Sequence, residues 1–248
     1  AVAVLDVKRN SGVSISDHSD LQAADVDIES NQGGTANVKA CQVDGSLGTA
    51  IGAAYAQDSL SGVNKVTIAD STVVANNEIH TEPEGSDVQK TAEPPTPGSI
   101  LVAAKDTSTA EVQTVGAKVG TVLAGGVLVS NASNSSSNSV AVSDSKLTAA
   151  YWTEEEIERV DSDGNHVRDE AGNIVKDKVP VADDLGTVQV LADKSNTIRT
   201  TTIGGAVGSA ALQGVVALSS DQGSSQVTLS GANGIVGDAI TLQAVGKP

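Results

Sequence analysis

Three aspartates recur at one place in a repeated pattern. Asp17 lies in VSISDHSDLQA (13–23), Asp70 in VTIADSTVVA (66–75) and Asp144 in VAVSDSKLTA (140–149). Rows of carboxylates on one face could serve glycoside hydrolysis, where one group donates a proton and a second acts as base or nucleophile. Each Asp follows a short alternating strand, and Asp70 and Asp144 are each followed by Ser, so an Asx-type turn at a corner accounts for them without chemistry. If each repeat unit holds two rungs of strand, Asp70 and Asp144 stand about 10 Å apart, slightly beyond paired glycosidase acids. The reading therefore assigns no catalytic residue. The fourth copy, VTLSGANGIVG (227–237), has no Asp at this point.

Other candidate groups resolve similarly. DSDGN (161–165) is similar to a calcium loop, but Gly164 stands fourth where the loop needs its glycine sixth, and Gly172 occupies the twelfth position where Glu is required. Calcium there is at most adventitious, and no metal or cofactor site is assigned. DSDGN and DEAGN (169–173) read instead as turns of a small β-meander carrying Val160, Val167, Ile174 and Val175. Ahead of them TEEE (153–156) offers a capping box and at most one helical turn. His18, His80 and His166 are widely spaced, with no metal-pair spacing and no neighbouring nucleophile. Tyr151 and Trp152 are the chain's one aromatic cluster and the candidate ligand-binding residues, suited to a sugar or protein contact. Cys41 is the single cysteine; it cannot form an internal disulfide, and reads as a small apolar core residue.

The elements that position these groups are repeats. Two units, 26–75 and 100–149, are each 50 residues long; a third runs less cleanly over 188–237. Each opens on an alternating pair (Val26/Ile28, Ile100/Val102, Val188/Val190) and closes near the Asp corner. Between them GAKVGTVLAGGVLV (116–129) matches GGAVGSAALQGVVA (204–217), with identities at Gly116/Gly204, Gly126/Gly214 and Val127/Val215. The linking segments 24–25, 76–99, 150–187 and 238–239 vary from 2 to 38 residues, so one corner accepts insertions while a stacked core continues. About six short strands per unit predict an all-β chain, a right-handed parallel β-helix with two inserts at one corner. Its rungs would add roughly 10 Å per unit, to 35–40 Å in all. SNASNSSSN (130–138) reads as a polar loop within a unit. A string of β-sandwiches is excluded by the small unit, which lacks the large side chains of a two-sheet core.

Composition narrows the function. The chain has no Phe, one Trp and two Tyr, so Val, Ala, Ile and Leu must fill the interior, with Tyr55 read as a core residue. The net charge is −16, and the inserts 76–99 and 150–187 hold 16 of the 31 acids against 5 of the 15 bases. With no basic stripe for phosphates, nucleic acid is not expected as a partner. No run of about 20 apolar residues exists, so membrane insertion is not expected. The insert 76–99 holds four of the six prolines and reads as an extended acidic loop. The chain begins and stops within units, so a longer parent is expected, with rung edges open to end-to-end association.

The corners DS(T/K)(V/L)xA, the blocks GxxVGxxxxxGV and the opening VxVxA-like strands resemble the repetitive shaft of leukotoxin-type large filamentous adhesins. These are bacterial surface proteins exported by two-partner or related type V secretion. The resemblance covers the units and not the acidic inserts, and it brings no catalytic motif. It implies an extracellular structural role, on a bacterial surface, with a host or neighbouring-cell ligand as the partner. The weighed alternatives are a carbohydrate-active β-helix enzyme or tailspike, and a binding module acting through 150–187.

Overall fold

The computed structural model describes residues 1–76, 97–160, 166–168 and 171–247, with the backbone alone described for 151–157, 177–183 and 247. Its strands are β1 (Val2–Ile15), β2 (Asp20–Ala23), β3 (Val26–Ser46), β4 (Thr49–Ala69), β5 (Thr72–Asn76), β6 (Ile100–Gly120), β7 (Leu123–Asn134), β8 (Ser137–Ser143), β9 (Lys146–Glu158), β10 (Lys176–Leu185), β11 (Thr187–Val207), β12 (Ala210–Asp221), β13 (Ser224–Ser230), β14 (Gly234–Val236) and β15 (Ala239–Lys247). The protein is all-β, built of parallel sheets; among the described residues there is no helix. A front sheet runs β3, β6, β11, β15. A back sheet stacks β1, β4, β7 with β8, then β12 with β13. A narrow side sheet holds β2, β5, β9 and β14. All these pairings are parallel; only β10 lies antiparallel, on β9.

Each unit contributes one strand or strand pair to each sheet in turn, and the equivalent residue of the next unit lies beside it. Val26 pairs with Ile100, Ile100 with Val188, and Val188 with Ile240. The expected two rungs of three strands per unit are therefore corrected to one rung with two long sides of 21 residues. Four strands at about 4.8 Å make the stack roughly 15–20 Å deep, not 35–40 Å, while a 21-residue strand has a contour of about 70 Å. The short strands expected within 100–120 are one strand, β6.

The reason lies inside. Even-numbered residues of β3, β4 and β6 face inward, but the inward row is apolar only in patches. Beside the side sheet it is aliphatic, with Val66, Ile68, Val102, Val140, Val142 and Leu147 all fully buried. Farther along lies a second block containing Val38, Leu60, Val112 and Ala132. Between them the buried row is polar: Asn64, Asn138, Asp106, Ser136 and Lys194. Alternation read from apolar residues alone breaks at these positions, although the strands continue through them.

The asparagines of the polar row bond to one another and across the sheets. Asn64 Nδ2 donates to the carbonyls of Ser30 (3.0 Å) and Lys105 (2.9 Å) and to Asn138 Oδ1 (3.0 Å). Asn138 Nδ2 donates in turn to Ala104 (2.8 Å) and Asp193 (2.7 Å). These residues tie the back sheet to the front sheet rung by rung. Next to them Arg9 faces Asp106 at 3.9 Å, and Lys194 meets Asp221 at 2.7 Å. Asp106 also accepts hydrogen bonds from Ser108 (2.5 Å) and Ser136 (2.7 Å). Burial works against the Asp221 charge, but hydrogen bonds from Lys194 and the Gly223 amide outweigh it and hold the carboxyl below its usual range.

Several expected placements are corrected. SNASNSSSN is not a loop but β7 and the start of β8, with Ser130, Asn134, Ser136 and Asn138 turned inward. Tyr55 is not in the core; its odd position points it out of the back sheet, where its hydroxyl donates to Gln57. Cys41 is exposed for the same reason, on the outer face of β3. The Gly126/Gly214 and Val127/Val215 identities are out of register, because β7 pairs Gly126 with Gln213 and Val127 with Gly214. Gly120 still stacks beside Gly208 at the chain turn, and the turn to β12 is then one residue shorter than that to β7.

Asp58 is a buried carboxyl without such partners. It points inward between Leu5 and Ala132 of the adjoining rungs, fully buried, and neither carboxylate oxygen has a hydrogen-bond partner. Burial raises its pKa.

Two outcomes follow from this interior. Replacing Asn138 with Ala removes three ladder bonds and strands two carbonyls, so denaturant unfolding should show a loss of about 2–4 kcal/mol, while the outward Ser139→Ala stays within about 0.5 kcal/mol. Asp58→Asn should raise stability at neutral pH by about 1–2 kcal/mol. With the folded pKa raised, the unfolded chain ionises first as pH climbs, so Asp58 costs stability above the ordinary carboxylate range and nothing well below it. The difference between Asp58→Asn and wild type should therefore shrink as unfolding is measured towards pH 3.

Candidate functional site

The recurring aspartates sit where the back sheet turns into the side sheet. Asp70 links β4 to β5, Asp144 links β8 to β9, and Asp17 lies between β1 and β2. Their backbones are left-handed, with φ of 63° at Asp17 and 48° at both Asp70 and Asp144. Few residues other than glycine adopt this conformation readily, and Asp is among the exceptions. The fourth corner, one residue longer, carries Gly231 at φ 77°, so the copy without Asp opens its turn on the other residue suited to a left-handed backbone. The corner before β2 is one residue longer, and His18 is left-handed too, at φ 61°.

Serines lock these corners. Ser71 Oγ donates to the Ala69 carbonyl and Ser145 Oγ to that of Ser143, each at 2.7 Å. The Ser71 amide donates to Ser145 Oγ (3.2 Å), and the Ser145 amide to Asn233 Oδ1 (3.1 Å). Asp144 accepts the Ala232 amide at 2.9 Å. Every one of these bonds fixes a turn or joins it to the next rung.

Outside the serines runs an open groove lined by His18, Asp20, Asp70, Thr72, Asp144 and Lys146. With one rung per unit, Asp70 and Asp144 are neighbours at the strand spacing of about 5 Å, which corrects the 10 Å expected above. That distance is compatible with paired carboxylate chemistry. Yet the backbone requirement, shared by Gly231, already explains both residues. Among the described residues no three His, Cys, Asp or Glu side chains gather as metal ligands would.

The remaining candidates lie on the second insert. Tyr151 and Trp152 belong to β9, where their backbones pair with Asp184 and Ala182 of β10; their side chains lie outside the described residues. The capping box at 153–156 is not a helical turn but part of β9, since a partner strand satisfies its backbone. Beyond the hairpin, Val160 bridges His166 and Arg168 bridges Ile174, both antiparallel. His166 is half exposed and lies 3.1 Å from Glu158. His80 and the proline-rich stretch 77–96 lie outside the described residues, as does DSDGN. Both inserts leave the side sheet at stacked positions, Asn76 beside Ala150, and the chain re-enters the front sheet at Ile100 beside Val188.

One buried group escaped the sequence reading. Lys118 has no exposed side-chain surface, and its ammonium contacts Asp44, which also accepts from Gln42 at 2.8 Å. The ammonium holds the Asp44 carboxyl below its usual range. Gly52 and Gly126 make room for this lysine: a Cβ at Gly52 would stand 2.8 Å from its Nζ, and one at Gly126 would stand 3.3 Å from its Cε. The signal was present in a lysine at an inward position with glycines on the facing strand.

No known family, no curated protein and no solved structure matches the chain.

If the corner aspartates serve the turn, Asp144→Gly should keep stability within about 1 kcal/mol of wild type, whereas Asp144→Val should cost about 1–3 kcal/mol. Thermal unfolding of the two variants decides this, and a Gly variant as damaged as the Val variant would count against the turn role.

Proposed function

We propose that the chain is a structural segment, a right-handed parallel β-helix in which each 50-residue unit makes one rung. Its role would be the shaft of a bacterial extracellular filamentous adhesin or surface fibre, holding a distal binding region away from the cell. The observation that carries this reading is the register. Across the first insert, residues 74 positions apart lie side by side in all three sheets; across the second the offset is 88 in the front and side sheets and 87 in the back sheet, so both inserts are absorbed outside the stack. A scaffold whose rungs repeat in this way extends by adding units, and open rung edges suit stacking on further rungs of the same or another chain. The corner residues act as turn formers, with no reaction assigned to them. The β9–β10 hairpin then stands as a lateral feature that modulates contacts along one side.

Lengthening tests it. Chains with one, two or three extra copies of residues 100–149 inserted at the unit boundary should fold and grow by about 5 Å each along the stack, measured by small-angle scattering. Growth of about 10 Å per copy, or loss of folding on insertion, would refute the shaft reading.

A further inference from the structure

The outer face of the back sheet carries almost no charge. Odd-numbered positions of β4, β7 and β8 point outward, as do the even-numbered ones of β12 and β13 that pair with them. Across this face β7, β8, β12 and β13 present no charged residue at all; β4 presents only Lys65, and β1 only Asp6 and Lys8. The outer face of the front sheet carries Asp27, Glu29, Lys105, Glu111, Asp193 and Arg199 along most of its length, and is uncharged only at the end that holds Val43, Val119, Ile203 and Val207. In a chain of charge −16 such a bare face is unusual.

One end of it is apolar as well. Ile51, Gly125 and Leu212 form one outward column; Ala53, Val127 and Gly214 form the next; Val2, Tyr55, Val129 and Val216 the third. Ile51 is 67% exposed, Leu212 78% and Val2 76%. The missing side chain at Gly125 leaves a hollow between Ile51 and Leu212, walled along the strand by Leu123 and Val127. Three or four rungs by three or four columns span on the order of 400 Å², the size at which an apolar patch marks an interaction site. Towards the side sheet the same face changes to Ser59, Ser133, Ser135, Ser137 and Ser139.

We propose that this face is the contact between two copies of the chain, packed back sheet to back sheet about a two-fold axis. The patch carries its own complement: projecting Ile51 and Leu212 beside the hollow at Gly125, and flat ground at Ala53 and Gly214. A two-fold contact brings the same patch together from both sides, so each projection can meet the other copy's hollow. Charge selects the same arrangement. The patch carries no acid, and both inserts leave the molecule at the side sheet, at the other end of β4 from the patch. Sheets packed face to face at about 10 Å bury such a patch fully. Two patches of this size fall at the small end of specific interfaces, which makes the dimer reversible.

Sedimentation over roughly 5 to 500 µM tests the proposal, a range suited to a weak interface of this area. The wild-type chain should pass from monomer to dimer. Ile51→Asp and Leu212→Asp, both on exposed outward positions and checked for an unchanged melting profile, should each weaken association by at least about tenfold, the equivalent of about 1.4 kcal/mol. Val43→Asp, equally exposed but on the front sheet, should leave it unchanged. A chain that stays monomeric throughout overturns the proposal, as does one that stays monomeric and floats with phosphatidylcholine vesicles. Association that survives both back-sheet substitutions, as stacking through rung edges would, overturns it too.

Discussion

Everything in this molecule hangs on parallel strands stacked in register, with each inward residue resting on its equivalent one unit away. Val26, Ile100, Val188 and Ile240 form one such column, and Ile68 with Val142 another. In a stack of this kind a side chain's nearest neighbours above and below are its own counterparts. Apolar columns then bury themselves at no cost, but a polar column has to find its partners along the stack or across it. Asn64 and Asn138 do both, and this is why asparagine can occupy a fully buried position twice. The same logic governs the ions. Gln32, Asp106 and Lys194 share one column, so the charges alternate in sign with the facing Arg9 and Asp221 instead of repeating. Like charges stacked at the strand spacing would repel strongly in a dry interior.

Width imposes a second constraint. Two sides of 21 residues, folded face to face, enclose an interior far longer than the aliphatic content of a 50-residue unit can fill. The protein therefore alternates dry blocks with hydrogen-bonded ones, and closes the far end over Lys118 and Asp44. The glycines at Gly52 and Gly126 belong to that closure, since the long lysine occupies the space their side chains would take. Buried ion pairs of this sort contribute little net stability, yet losing one partner is costly, so they favour one register over its neighbours. A one-residue slip would set Lys118 against the outer face and leave Asp44 alone.

The repeat, its boundaries and the parallel all-β character were legible because inserts interrupt the units at one corner and the opening and closing apolar pairs keep a period of two. Rung number was not. Polar residues at inward positions, as at Asp106, Ser108 and Ser136, look like strand breaks in a sequence, and counting them so gives two rungs per unit, which doubles both the depth of the stack and the spacing of Asp70 from Asp144. Residue type also misled where parity would have served. Tyr55 and Cys41 look like core residues, but both are an odd number of positions from an inward neighbour such as Ala56 or Ala40, and so face out. Asn64 and Asn138 could have been placed by the same count, each standing two residues before an inward valine, Val66 or Val140. The corner aspartates were assigned to turns correctly in kind, and Gly231 in the degenerate copy supplies the physical reason that spacing alone could not.

The surface divides as the interior does, and for a related reason. Variation enters where the chain leaves the side sheet, because a loop there crosses no ladder and displaces no column. The two inserts hold 16 of the 31 acids. The outward columns of the back sheet obey the opposite rule. Any charge placed there would stand about 5 Å from its counterpart in the next unit, so a repeated charge is penalised by repetition itself. The front sheet meets that penalty by pairing, as Lys105 does with Glu29 at 2.5 Å, whose carboxyl is held below its usual range by that lysine. The back sheet meets it by carrying almost no charge, with serine over one stretch and aliphatic side chains over the other. Serine alone would satisfy that electrostatic rule. The choice of Ile51, Val127 and Leu212 around an open glycine goes further than avoiding repulsion requires, and that excess is what separates a surface merely kept neutral from one shaped to be covered.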